Sequence, residues 1–161
     1  MNKILTATTR SSSSAEAVAL AIELAAAQRA ELIFVHVVPT LDVVASSDED
    51  EVVAIPHDAT EHDRAVLDDA AATARDHGVA ATSVLLRGST AEQIVAAADT
   101  HDVDLIVVGS RGHSAIASAL LGNVSLRVLR QSSRPVLIVR GRNQPRPTPK
   151  RTRATASTQL R

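Results

Sequence analysis

The strongest constraint on the fold is an alternation of short apolar runs with longer segments of helical periodicity. Five runs lack the polar alternation of a half-exposed strand and are rich in Val, Leu and Ile, as strands buried on both faces are. These runs are residues 3–8, 31–38, 79–87, 105–108 and 136–139. Strands separated by helices in this way predict an α/β fold, in which a parallel sheet lies between two helical layers and the crossovers are right-handed.

Four segments between the runs carry helix signals. Three of them open with a capping box, in which a hydroxyl side chain caps the helix and an acidic residue follows three positions later. These pairs are Ser13 with Glu16, Thr60 with Asp63, and Ser89 with Glu92. Gly78 is placed to end the second helix in a left-handed conformation, and Asn123 is predicted to cap a short fourth helix over residues 123–130.

Residues 40–57 interrupt this alternation. They contain the acidic run 46–51 and end with Pro56 and turn-forming residues. Such a composition is typical of a solvated excursion, and we prefer this interpretation to an acidic binding site.

The composition excludes several classes of function. Because the chain has no Cys, it forms no disulfide and offers no thiolate to a metal or to catalysis. One Phe and no Trp or Tyr leave no stacking platform of the kind that single-stranded nucleic acid binders use. Since no apolar run reaches the length of a membrane span and no leader pattern opens the chain, we expect a cytoplasmic protein.

The net charge of −1 conceals an uneven distribution. Residues 141–161 contain six basic and no acidic residues, whereas residues 1–140 contain 11 basic and 18 acidic residues, a net charge of −7. The sequence therefore predicts a domain over residues 1–140 and a disordered basic tail over 141–161. The tail is interpreted either as a solubilising extension or as a contact for nucleic acid, anionic lipid or an acidic protein surface.

Three glycines after the apolar run 105–108 predict a ligand cradle. Gly109 and Gly112 follow that run directly, and Gly122 precedes the fourth helix after nine further residues. Glycine permits tight turns and close approach of a ligand to the backbone, and the amino end of a helix offers unpaired N–H groups. This combination indicates an anion site at the carboxyl edge of the sheet, with phosphate as its natural ligand.

Other phosphate-binding and catalytic motifs are missing from the sequence. All six glycines lie at or after Gly78, so no G-x-G-x-x-G follows the first strand. No Gly-Lys-[Ser/Thr] completes a Walker A loop, and no G-x-S-x-G marks a serine hydrolase. The sequence therefore argues against a dinucleotide-binding site of the usual kind and against a serine hydrolase.

The pattern Gly109-x-x-Gly112, nine residues, Gly122, a small polar residue, a helix and a proline-led strand resembles the universal stress protein family. The resemblance covers about residues 2–140. It implies a three-layer α/β/α sandwich, adenine-nucleotide alpha-hydrolase-like and Rossmann-like, with a five-stranded parallel sheet in the order 3-2-1-4-5. In this order the first and fourth strands are neighbours, so the loop after Thr8 would lie beside Gly109.

The same resemblance implies that this crevice binds ATP or a related adenine nucleotide. Backbone amides of the glycine loop would meet the phosphates, while Val37 and Val108 would contact the nucleoside. The residues expected to bind the nucleotide are Ala7, Thr8, Thr9, Val37, Val108, Gly109, Arg111, Gly112, Gly122, Asn123, Val124 and Ser125. We expect no catalytic residue and no metal site on the protein, and any Mg²⁺ would accompany the nucleotide.

Two positions depart from the family pattern. Thr9 stands where many nucleotide-binding members carry an aspartate near the nucleoside or its metal, and a neutral threonine is a poor Mg²⁺ ligand. Arg10, which follows it, would meet a phosphate or lie on the surface. Asn123 replaces the usual Ser or Thr after the third glycine but keeps the capacity to form hydrogen bonds.

Three functions of different classes stay open on the sequence. The first is a non-catalytic, ATP-binding stress or signalling regulator that forms a homodimer through Val136–Val139 at the sheet edge. The second is a nucleotide-free adaptor of the same fold, which Thr9 favours. The third is a nucleotide-consuming enzyme, which would need a general base or a pyrophosphate-binding Ser-Gly-Gly loop that we do not find. We therefore expect at most slow ATP hydrolysis.

The remaining polar residues carry weaker signals. His36 lies in a buried-strand pattern and is predicted to be a satisfied structural histidine rather than a ligand. His57 and His62 stand near acidic residues, but their spacing matches no metal site. Three residues of the glycine loop would face either phosphate or water, namely Ser110, Arg111 and His113.

Overall fold

A computed structural model describes residues 1–9, 11–45, 52–56, 60–110 and 122–141, with backbone alone for 41–45 and 52–56. Seven strands and four helices lie within these residues. In chain order they are β1 (Lys3–Ala7), α1 (Ser12–Gln28), β2 (Glu31–Val38), β3 (Leu41–Ala45), β4 (Val52–Pro56), α2 (Glu61–Asp76), β5 (Ala81–Arg87), α3 (Thr90–Thr100), β6 (Leu105–Gly109), α4 (Asn123–Gln131) and β7 (Val136–Val139).

Five strands form one parallel sheet in the order β5-β2-β1-β6-β7. Counting only the strands of this sheet, the order is 3-2-1-4-5, so the predicted topology is confirmed. The order reverses between β1 and β6, which pair in the register Ile4↔Leu105 to Thr6↔Val107. Ligands of open α/β sheets bind outside the carboxyl ends of the strands at such a point, and the candidate site lies there.

The sheet separates two apolar clusters because successive side chains of a strand point to opposite faces. Ile4 and Phe34 face α1 and α2, while their neighbours Leu5 and Ile33 face α3 and α4. All four side chains are almost completely buried. Small helix residues, such as Ala17 of α1, allow the helices to pack closely on the strands.

The prediction of a solvated excursion over residues 40–57 named no secondary structure, whereas two strands, β3 and β4, lie within this segment. These strands form an antiparallel pair, in the register Leu41↔Pro56 to Ala45↔Val52. The reason is visible in the sequence, because runs rich in β-branched residues flank the acidic segment on both sides. The acidic run 46–51 itself lies outside the described residues.

Both ends of α2 confirm the sequence signals. Thr60 and Asp63 form the predicted capping box, in which Asp63 N–H donates to Thr60 Oγ1 and Thr60 N–H donates to the Asp63 carboxylate. Gly78 follows the C-cap with φ +70°, and the N–H of Val79 donates to Ala74 O at 3.0 Å. This is the glycine-terminated helix end that the sequence predicts.

The caps of the other helices differ from the prediction. Ser11, not Ser13, is the N-cap of α1, and its Oγ accepts the Ser14 N–H at 3.2 Å. Ser89 occupies the N-cap of α3 as expected, but its side chain makes no capping hydrogen bond. Gly122, rather than the residue after it, is the N-cap of α4. Within the described residues no helix is long and apolar enough to cross a membrane.

Candidate functional site

The loop after β1 forms one wall of the crevice and is fixed from two sides. Thr8 is only 2% exposed, and its N–H donates to Val35 O of β2 at 2.8 Å. Thr9 N–H donates to Ser14 Oγ of α1 at 2.7 Å, and that hydroxyl donates in turn to Ala7 O at 3.3 Å. The Ser14 hydroxyl thus takes the place of a backbone acceptor for the Thr9 N–H. Nothing in the sequence pattern indicates this role of Ser14.

Thr9 occupies the position at which many nucleotide-binding members of the resembled family carry a carboxylate. Its Oγ1 lies 3.0 Å from Ser11 Oγ and accepts the Ser11 N–H at 3.3 Å. This hydroxyl therefore forms part of a local network at the start of α1. Arg10 lies outside the described residues.

Three apolar residues lie toward the carboxyl ends of the central strands, on the side of the sheet that α3 and α4 cover. Val108 of β6 is 3% exposed and belongs to the cluster on that face of the sheet. Ala7 of β1 and Val37 of β2 are half-buried and pack against the same cluster. The structure thus places on one face of the sheet the two valines that were predicted to contact a nucleoside.

The amino end of α4 is anchored at the end of β6. Ser110 N–H donates to Val139 O at 2.7 Å, which continues the ladder between β6 and β7. Ser110 O accepts the Gly122 N–H at 2.6 Å and the Ser125 hydroxyl at 3.2 Å. Because Ser110 is fully buried, its position is fixed by the protein, and the first turn of α4 returns to the crevice.

This anchor involves Gly122, whose amide was predicted to meet a phosphate. Its N–H is taken by Ser110 O, so the amides available to an anion are those that follow it in the first turn of α4, at Asn123, Val124 and Ser125. A glycine N-cap has no side chain to satisfy these amides. Asn123 and Val124 are exposed, so this first turn is accessible from solvent.

Gly109 is a glycine for a reason other than ligand binding. A Cβ at this position would lie 2.7 Å from the backbone C and O of Ser13 and 2.8 Å from Ser14 N. The first turn of α1 therefore packs directly on the end of β6. This contact joins the start of α1, which follows the β1 loop, to the end of β6.

His36 is satisfied within the protein, as predicted. Its Nδ1 lies 2.8 Å from Thr8 O, and its Nε2 lies 3.2 Å from Asp63 Oδ1 at the start of α2. Burial alone would raise the pKa of Asp63. Hydrogen bonds from the Thr60 N–H, the Thr60 hydroxyl and His36 outweigh it and hold the pKa of Asp63 below its ordinary value.

A cleft of about 400 Å³ lies between α1 and α2, on the opposite face of the sheet from Val37 and Val108. Thr8 and Thr9 line its inner end, and the rest of the lining is mostly Ala, Val and Ile from the two helices. The corner at Thr8 and Thr9 therefore belongs to the lining of this cleft, and a shift of the corner would change the shape of the cleft.

Several predicted residues have no structural account. Arg111, Gly112 and His113 of the glycine loop lie outside the described residues, as do His57 and residues 142–161 of the tail. Within the described part of the chain, no three His, Asp or Glu side chains come together as metal ligands.

These features define a doubly wound α/β protein with a crevice over β1 and β6. A model of the universal stress protein family matches residues 1–140. The chain belongs to this family.

Among its relatives is the universal stress protein YxiE of Bacillus subtilis, which is 37% identical over 146 residues. The match covers 86% of this chain and 99% of YxiE. The crystal structure of a universal stress protein in complex with cAMP is 30% identical, with a TM-score of 0.67, over 87% of this chain and 97% of that one. The structure of MJ0577 from Methanocaldococcus jannaschii matches with a TM-score of 0.71 at 23% identity, over 88% of this chain and 97% of that one, and supports the fold.

Proposed function

We propose that the crevice over β1 and β6 binds ATP or a related adenine nucleotide, and that the protein acts as a non-catalytic regulator. One observation carries the proposal. The parallel pairing of β1 with β6 brings three apolar residues, Ala7, Val37 and Val108, toward the carboxyl edge of the sheet, to which Ser110 anchors the uncapped amino end of α4. A nucleotide needs both, because its base and ribose pack on apolar surface while its phosphates pair with N–H groups.

The relative solved with cAMP supports this proposal. It is 30% identical to this chain and aligns over most of both chains. A cyclic mononucleotide and ATP share the adenosine and a phosphate on the ribose, so a crevice of the same kind would accommodate the part that the two ligands have in common. Discrimination between them depends on contacts to the terminal phosphates.

The part played by magnesium follows from Thr9. A threonine lacks the carboxylate that would hold a divalent cation beside the nucleoside. We propose that any Mg²⁺ enters with the phosphates of ATP and gains no protein carboxylate. ATP affinity should therefore change little, by less than about threefold, between solutions with Mg²⁺ and with EDTA.

The binding test is isothermal titration of the purified protein with ATP, AMP, cAMP and GTP. We expect the adenine nucleotides to bind and GTP to bind more weakly. The variant Gly122→Val tests the location, since Gly122 has φ −70° and ψ 157°, which a valine adopts without strain. Its side chain would stand at the entrance to the first-turn amides and should weaken ATP binding at least about tenfold.

The matched control is Leu129→Ala on the same helix, where the side chain is 47% exposed and lies away from the first turn. It should bind ATP as the wild type does. Equal ATP affinity in the Gly122→Val variant and the wild type would place the nucleotide elsewhere.

A nucleotide-free adaptor is the second candidate, and one observation favours it. The polar groups at the corner after β1 are already paired within the protein, since Thr9 N–H donates to Ser14 and the Thr9 hydroxyl pairs with Ser11. Gly109 also has a packing reason of its own. Absence of heat and of a thermal shift with every adenine nucleotide at millimolar concentration would favour this alternative.

A further inference from the structure

The two helical layers of the domain differ in charge. α1 carries two acidic residues and no basic residue, and α2 carries five acidic and two basic residues. With His counted as neutral, this layer has five net negative charges. On the other face of the sheet, the two acidic residues of α3 and the two basic residues of α4 cancel. The layer of α1 and α2 therefore attracts a cationic partner, whereas the opposite layer does not.

The cleft of about 400 Å³ lies within this acidic layer, and its volume is typical of a ligand site. Its lining is mainly apolar, with Val18 and Ile22 from α1 and Val66 from α2. Among the described residues that line it, Asp69 alone is charged. The Asp69 carboxylate is exposed and makes no ion pair or hydrogen bond with another residue of the described part. The cleft thus suits a segment that carries both apolar and cationic side chains.

The described chain ends at the start of this layer. β7 runs parallel to β6 and so ends at the carboxyl edge of the sheet, where α1 and α2 begin. Gly141 is buried, and a Cβ on it would lie 3.5 Å from Ser12 Oγ and from the backbone of Ser13. Residues 142–161 therefore leave the domain beside the first turn of α1, the helix that forms one side of the cleft.

The sequence of the basic tail has the composition that the cleft requires. Residues 145–151 read PRPTPKR, in which prolines alternate with Arg146, Thr148 and Lys150. Proline fixes its own φ and restricts the preceding residue to extended conformations, so such a segment loses little entropy on binding along a groove. The proline rings offer apolar surface, and the basic side chains offer partners to Asp69.

The tail is also long enough to reach the cleft. Four residues lead from Gly141 to Pro145, and an extended chain covers about 14 Å over that length. Since a helix with its side chains is about 10–12 Å across, the chain can pass over the start of α1 to the side of α2. The cleft extends along α1 from Ala15 to Ile22, a rise of about 10 Å. Seven residues of an extended, proline-rich segment span about 20 Å.

We propose that residues 145–151 dock in the cleft between α1 and α2 of the same chain, with the prolines on the apolar lining and a basic side chain paired with Asp69. The basic tail is thus an intramolecular ligand of the acidic helical layer. Because a short tether gives an effective concentration in the millimolar range, an intrinsic affinity of about 1 mM docks the segment half of the time. No nucleotide takes part, so this inference is independent of the proposed function.

The test places a spin label on the full-length variant Thr152→Cys, whose new thiol is unique because the sequence contains no Cys. Nitrogen-15 NMR then reports how close the label comes to each backbone amide. At about 0.01 M salt, the amides of Ala65 and Val66 should lose at least about half of their intensity. The amide of Val124, at the start of α4 beside the opposite layer, should keep its intensity. In about 1 M salt, where the Debye length is about 3 Å, the signals of α2 should recover.

Two matched substitutions on α2 separate docking in the cleft from general attraction by charge. Asp69→Lys and Asp76→Lys make the same change of charge at exposed positions of one helix, but Asp69 lines the cleft and Asp76 does not. Asp69→Lys should restore most of the lost intensity, whereas Asp76→Lys should restore little of it. Replacing the six basic residues of the tail by Gln, with the label kept at Thr152→Cys, should restore all of it.

Several results of these experiments would overturn the inference. Ala65 and Val66 would keep their intensity, or Val124 would lose as much as Val66, if the tail did not dock in the cleft. Equal effects of the two α2 substitutions would indicate attraction to charge alone, including the acidic run 46–51. Broadening that arises only in mixtures of spin-labelled chains with nitrogen-15-labelled chains would assign the tail to a second copy.

Discussion

Gly109 illustrates how strongly a single residue can fix this crevice. Because it has no side chain, backbone atoms of Ser13 and Ser14 can lie only 2.7–2.8 Å from the position that a Cβ would occupy. Since both partners are backbone atoms of a helix start, neither can rotate out of the way. The same glycine that suggests a phosphate loop in the sequence is therefore required for the packing of α1.

We predict that Gly109→Ala destabilises the protein by about 1–3 kcal/mol, because the added methyl group overpacks a rigid contact. Gly141→Ala is the matched control, as a Cβ there would meet Ser12 and Ser13 at an ordinary 3.5 Å. It should change stability by less than about 0.5 kcal/mol. Urea unfolding measures both values, and equal losses in the two variants would contradict this account of Gly109.

At the scale of the element, the capping boxes of α2 and α3 look alike in the sequence but differ in the structure. The Thr60 hydroxyl accepts the Asp63 N–H, and the Asp63 carboxylate accepts both the N–H and the hydroxyl of Thr60. Ser89 caps with its backbone only, and Glu92 pairs instead with Arg127 of α4 at 2.9 Å. At the start of α3, an ion pair with α4 is therefore present in place of the side-chain bonds of a capping box.

We therefore predict different costs for the two cap deletions. Thr60→Ala should lower the free energy of unfolding by about 1 kcal/mol, the usual loss for a working N-cap. Ser89→Ala should lower it by less than about 0.5 kcal/mol, since no side-chain capping bond is lost. Thermal or urea unfolding tests the pair, and a larger loss at Ser89 would refute the assignment of the caps.

At the scale of the whole molecule, the decisive feature is the edge of the five-stranded sheet at β7. Ile106 N–H donates to Pro135 O and Ser110 N–H donates to Val139 O, so the odd-numbered residues of this segment face β6. The N–H groups of Val136 and Ile138 therefore face away from the sheet. An apolar edge strand with outward-facing donors tends to pair with another strand, and we propose a twofold partner of the same chain.

The corresponding prediction concerns the molecular mass in solution. By sedimentation, the wild type should have a mass of about twice the 16.9 kDa of one chain. The variant Ile138→Pro should be a monomer, because proline lacks the outward N–H and prevents pairing at this edge. Circular dichroism checks that the variant stays folded. A folded Ile138→Pro variant that is still dimeric would exclude this edge as the interface.

Much of the architecture was predictable because its signals are local. The apolar runs, the cap at Thr60 and the glycine after α2 each depend on residues within a few positions of one another, and the family resemblance supplied the strand order. The cap of α4 was misassigned because Gly122 and Asn123 are both acceptable caps. The sequence alone does not reveal that the Gly122 amide pairs with Ser110, because the two residues are joined only by the return of the chain to β6.

The sequence by itself determined the five strands of the parallel sheet, the four helices and the family to which they point. Only the tertiary structure decided that Gly109 accommodates α1, that Ser110 anchors α4 and that His36 lies between two acceptors. The two contacts of His36 join residues 27 and 28 positions apart. No local pattern records such a contact, because it exists only once the parallel sheet has brought those elements together.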